Sequence, residues 1–179
     1  MKTHGLKLVV ASLALAAAIG DAAPGADPQV PADVVAMLKE HRGKWHADGQ
    51  WITHGKSEPT SATWECKAAA GGIGNVCTWH DVWADHTQSA LEVMGYDSKL
   101  KTMSITRVMD DGFIRTVTPT VKGNTMVVRW TSTEDGKTSV GFNEVVVKSP
   151  GHWEQHMTID VDGKRVNEMR VTHTRVASN

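Results

Sequence analysis

His80-Asp81, with His86 beyond Trp83, sets imidazoles and a carboxylate among aromatic side chains. An imidazole near a carboxylate in an apolar setting is the usual general base of enzymes. Neighbours on a strand point to opposite faces, so His80 and Asp81 cannot act together locally. Each is a separate candidate, and Glu92 and Arg107 complete the set of residues to test for catalysis. His152-x-Glu154-x-His156 places three possible ligands for Zn²⁺ or Fe²⁺ on one side of a strand. The alternating Trp153, Gln155, Met157 and Ile159 read as the inward row, which leaves the histidine face in solvent; no metal is expected. His41 and His46, flanking Gly43-Lys44-Trp45, read as exposed or capping, and His54 and His173 as surface residues.

The aromatic set is skewed, with 7 Trp against 1 Tyr and 2 Phe. Trp51, Trp64, Trp79, Trp83, Trp130 and Trp153, with several Met, could line a pocket for a hydrophobic or aromatic ligand, or could simply fill an interior. Other patterns fail on context. Gly71-Gly72-Ile73-Gly74 lies in a hairpin and opens no helix, so it is no dinucleotide fingerprint. Gly136-Lys137-Thr138 lacks the earlier glycine of a phosphate loop, and Ser98-Lys99-Leu100-Lys101 sits at a turn rather than a helix start.

The elements that position these residues are read from punctuation. Asp111-Gly112, Gly123-Asn124, Asp135-Gly136, Pro150-Gly151 and Asp162-Gly163 are turn pairs that favour positive φ. Earlier turns fit at His54–Pro59, Gly71-Gly72, Ala84–Thr87 and Tyr96–Lys99. Between them, segments such as 100–108, 113–121, 125–133, 138–148, 152–161 and 165–176 are rich in Val, Thr, Trp, Met and Ile. About ten strands result, and short links make sequential neighbours antiparallel. A long up-and-down sheet removes its edges by closing into a barrel, and barrels of eight or more strands can hold one small molecule. Pro31, then Val34, Met37, Leu38 and His41 on one stripe, then Gly43, predict a short helix that lids one end.

The two cysteines, Cys66 and Cys77, face one another if the chain folds about Gly71-Gly72, and a four-residue loop over Ala70–Ile73 gives the closer type of cross-strand pair. In an oxidising compartment they close a disulfide; otherwise they are buried thiols. Lys2 and Lys7, the apolar run Leu8–Ile19 and the small residues after it describe a secretory signal. The expected organisation is a cleaved signal over 1–22, a flexible lead-in over 23–30 and a single barrel domain over 31–178, in a periplasmic or secreted protein. The 179 residues suit one core, and 19 Lys+Arg against 20 Asp+Glu leave no basic field for nucleic acid.

Gly43-Lys44-Trp45 after a short helix resembles the Gly-x-Trp opening of the calycin (lipocalin-like) barrels. In that superfamily the Trp plugs the closed end and an Arg of the last strand packs across it, which implies a structural pairing of Trp45 with Arg175. More closely, the chain resembles an exported bacterial family known as domain of unknown function 1579. The resemblance rests on Gly43-Lys44-Trp45, Glu65-Cys66, Gly95-Tyr96-Asp97 with Lys99, and Thr174-Arg175, across most of residues 38–176. Met103 departs from the pattern, standing where an aromatic often follows the Gly-Tyr-Asp box. The resemblance implies an all-β, antiparallel up-and-down barrel binding a small apolar or aromatic molecule inside, with no cofactor. Lipocalin-like barrels also include isomerases, cyclases and lyases, so an enzyme using the interior is a second expectation. Haem, as in the nitrobindin barrels, is an alternative that needs an inward His. A structural or partner-binding module with a filled core is a third, and it predicts no cavity.

Overall fold

The structure is a computed structural model that describes residues 29–83 and 86–177. The expected leader over 1–22 and residues 23–28 of the lead-in lie outside the described residues. The helix, α1 (Ala32–Glu40), buries Val34, Met37 and Leu38 from the apolar stripe. His41, next on the stripe, is also buried at 3% exposure, which corrects its reading as an exposed or capping residue.

Eleven strands follow: β1 (Gly43–Thr53), β2 (Lys56–Ala69), β3 (Gly74–Trp83), β4 (His86–Asp97), β5 (Thr102–Met109), β6 (Ile114–Val117), β7 (Thr120–Lys122), β8 (Thr125–Glu134), β9 (Lys137–Ser149), β10 (His152–Val161) and β11 (Lys164–Arg175). They form one antiparallel sheet in the order β6-β5-β4-β3-β2-β1-β11-β10-β9-β8-β7. The first and last long strands therefore pair, and the chain curls into an up-and-down barrel with a seam between β6 and β7. Among the described residues no helix is long and apolar enough to cross a membrane.

Local chemistry explains the boundaries. Asp135-Gly136 and Asp162-Gly163 both have positive φ at both residues, the geometry of tight hairpin turns whose twist matches the strands. Asp97 accepts hydrogen bonds from the backbone N–H groups of Lys99 and Leu100 and ends β4. The segment 113–121, expected as one strand, is split into β6 and β7 around the buried Pro119, which has no N–H to offer a ladder. Pro59, expected in a turn, lies inside β2, where β3 no longer runs alongside; the turn is only His54-Gly55. Gly49 permits the closure: a Cβ there would sit 2.0 Å from the Arg170 carbonyl oxygen of β11.

Cys66 and Cys77 are register partners on β2 and β3, joined by a disulfide with Cα atoms 4.0 Å apart, after a loop over residues 70–73. That close approach belongs to the non-hydrogen-bonded class of cross-strand pair.

A candidate ligand cavity

The base of the barrel is an aromatic stack. Trp45 of β1, 1% exposed, is parallel to Trp64 of β2 at 4.9 Å, and Trp64 stacks on Trp79 of β3 at 4.7 Å. These residues lie side by side because Trp45, Trp64 and Trp79 share one register row. The row continues to Arg175 of β11, whose guanidinium lies 4.8 Å from the Trp45 ring centre. Arg175 also bonds the Glu40 carboxylate at 2.9 Å and the Glu40 carbonyl at 2.6 Å. Glu40 in turn accepts from the Gly151 N–H, and Asn75 of β3 donates to the Leu38 carbonyl. The helix is thus sewn across the barrel end by its own C-terminal turn, whose carbonyls need partners.

Above this base lies a cavity of about 310 Å³. The alternation of each strand aims its inner row there: Ala47 and Trp51 from β1, Trp79, Asp81 and Trp83 from β3, Met126, Val128 and Trp130 from β8, and Trp153, Gln155, Met157 and Ile159 from β10. Trp51, Trp79, Trp83, Trp130 and Trp153 line the cavity, whereas Trp64 stays in the stack beneath it. Trp130 lies across Gly141 of β9, where a Cβ would stand 1.9 Å from the indole.

One wall is charged. Glu92 of β4, Arg107 of β5 and Arg115 of β6 are successive register partners, so they form a row on one face. Arg107 bonds Asp81 at 2.5 Å and lies 4.8 Å from the Trp79 ring centre. Arg115 lies 5.5 Å from the ring centre of Trp130, across the seam. Burial pushes the Glu92 carboxyl up, and Arg107, the Trp79 indole N–H and Arg115 pull it part of the way back. Trp79 Nε1 nonetheless makes no hydrogen bond of normal geometry, and neither does Arg107 Nε. Burial also raises Asp81, opposed by Arg107, and lowers Arg115, helped by Arg107.

Two histidines close the floor. His41 Nδ1 donates to the Met37 carbonyl at 2.8 Å, and its ring stands 4.2 Å from Trp153. His173 is buried on the inner face of β11, not at the surface as expected. Its Nδ1 accepts from Trp64 at 3.3 Å, so Nε2 carries the proton and donates to Gln155 at 2.8 Å. Burial depresses both to about 4, with His41 adding to the effect on His173, so both rings are neutral at pH 7.

Of the residues singled out for catalysis, Asp81, Glu92 and Arg107 come together in the cavity, and His80 does not. His80 is exposed on the outer face beside Ser89, and His86 stacks on Trp83 at 5.3 Å. His152, Glu154 and His156 are not gathered into a site: Glu154 pairs with Lys148 at 2.9 Å and His156 with Glu168 at 3.1 Å. Among the described residues no cluster of three His, Cys, Asp or Glu could hold a metal. Sequence reasoning missed Arg115, Asn143, His41 and His173 as cavity residues.

No protein-family model matches the chain, and no curated protein is significantly similar to it. The fold is that of the calycin-like barrels, as comparison with solved structures shows. The S-type phycobiliprotein lyase CPES from Guillardia theta matches with a TM-score of 0.58 at 13% identity, over 82% of this chain and 94% of that one. Rv2717c from M. tuberculosis matches with a TM-score of 0.54 at 10% identity, over 82% and 99%. At such identities the likeness is one of fold.

Proposed function

We propose that this protein is an exported, disulfide-linked barrel that binds a small hydrophobic or aromatic molecule inside, and that it belongs to the family called domain of unknown function 1579. The observation that carries the binding reading is the cavity of about 310 Å³, faced by five tryptophans. Enclosed, mostly apolar hollows with a few placed polar groups are the usual form of a small-molecule site. A module with a filled core would have no such space. Export is supported by Lys2, Lys7 and the Leu8–Ile19 run, and the family by the short motifs from Gly43 to Arg175. Mass spectrometry of small molecules released from purified protein, with tryptophan quenching by the same compound, tests the binding reading. Protein that carries nothing and responds to no fatty acid, phenolic or haem contradicts it. N-terminal sequencing of the exported chain tests the leader.

A second reading makes the same hollow an active site for an isomerase, cyclase or lyase. Glu92 favours it, because a carboxyl raised by burial stands in the cavity beside two guanidiniums. One neighbour of like fold is a lyase by name. Haem fits less well: His173 has both ring nitrogens engaged, leaving only Nε2 of His41 as a free imidazole lone pair on the cavity. Added haem that gives no Soret shift excludes it.

A further inference from the structure

We propose that the molecule taken by the cavity is an amphipathic organic carboxylate, its apolar or aromatic body among the tryptophans and methionines and its anionic group bound by Arg115. This rests on the reading of the hollow as a ligand site and adds the chemistry of what enters it. Arg107 is committed, since Asp81 meets it at 2.5 Å. Arg115 is not. Among the described residues it has neither an ion pair within 4 Å nor a hydrogen bond, and its guanidinium lies over the face of Trp130.

A guanidinium offers five N–H donors and no acceptor, and a half-buried one without a partner is costly. Stacking on an indole holds the plane of the group while leaving its edge free, the side that takes a carboxylate in a two-pronged bond. Gly141 has no Cβ, so Trp130 can lie flat against β9, and Arg115 reaches across the seam to lie over it.

The donor surplus extends beyond Arg115. Arg107 Nε is buried without a hydrogen-bond partner, and Arg107 lines the same cavity. Glu92 and Arg115 attract one another, but Arg107 stands between them in the row and, among the described residues, no ion pair within 4 Å joins them. Two guanidiniums, Arg107 and Arg115, and two carboxyls, Asp81 and Glu92, line this cavity, and among these four only Arg107 and Asp81 are joined in an ion pair.

Two fluorophores of one skeleton test this. 1-Anilinonaphthalene-8-sulfonate carries an anionic group, and N-phenyl-1-naphthylamine lacks it. Wild-type protein is expected to bind the sulfonate at least about tenfold more tightly, and decanoate to displace it better than decan-1-ol. Arg115→Gln is expected to weaken the sulfonate at least about tenfold more than the neutral probe, and Arg115→Lys to recover part of the difference. Equal binding of the two probes by wild type, or an equal loss of both in Arg115→Gln, overturns the anionic site while leaving the hollow intact. Decanoate no better than decan-1-ol overturns the carboxylate. Failure of both probes to bind defeats the ligand-cavity reading and this inference with it.

Discussion

His41 and His173 are the residues where polarity misleads. Each sits on an inward period that its neighbours define: His41 follows Val34, Met37 and Leu38 on the helix stripe, and His173 shares the inner face of β11 with Val171. That spacing was legible. What it could not supply was the partners, since Trp64 and Gln155 come from strands distant in sequence. Both imidazoles have folded values near 4, below the ordinary 6.5, so the unfolded chain binds more protons between those limits. Their contribution is complete above about pH 6.5 and is lost as pH falls toward 4, at roughly 1.4 kcal/mol per pH unit for each ring. Glu92 acts in the opposite sense, because its raised value favours the folded state at low pH. Urea unfolding of Glu92→Gln between pH 7 and 4.5 should therefore show a steeper acid loss of stability than wild type. An equal or shallower loss would show that Glu92 is not buried as described.

At the scale of elements, the hairpins were legible because their turns need residues tolerant of positive φ, and Asp-Gly pairs announce them. The split at Pro119 was equally local, yet its Val- and Thr-rich surroundings masked it. The Gly141 shelf was not legible, since nothing near residue 141 in the sequence says that an indole from β8 will lie over it. Gly141→Ala must displace the Trp130 ring, and is expected to cost about 1–3 kcal/mol, as overpacking does, with a change in tryptophan emission. Thermal melts and emission spectra check both. The Cys66–Cys77 bridge closes a short loop, so Cys66→Ser with Cys77→Ser should lose about 2–3 kcal/mol, read as a lower urea midpoint.

For the whole molecule, closure through β1 and β11 followed from strand count and short links, and the sequence patterns carried it. Whether the curled barrel is filled or hollow did not, because that depends on the summed volume of side chains from every strand. The charged row has the same origin: Glu92, Arg107 and Arg115 meet only through register. On the outer face of the same strands, Leu91, Val93, Val108 and Ile114 are exposed, so this wall is apolar outside and charged within. The most direct test of the central claim is titration with N-phenyl-1-naphthylamine of wild type and of Ala62→Trp, which places an indole in the cavity lining. Saturable binding of one probe per chain, weakened at least about tenfold in a variant that keeps its β-sheet circular dichroism, is the predicted result. Binding that ignores the added indole, or that never saturates, would contradict it.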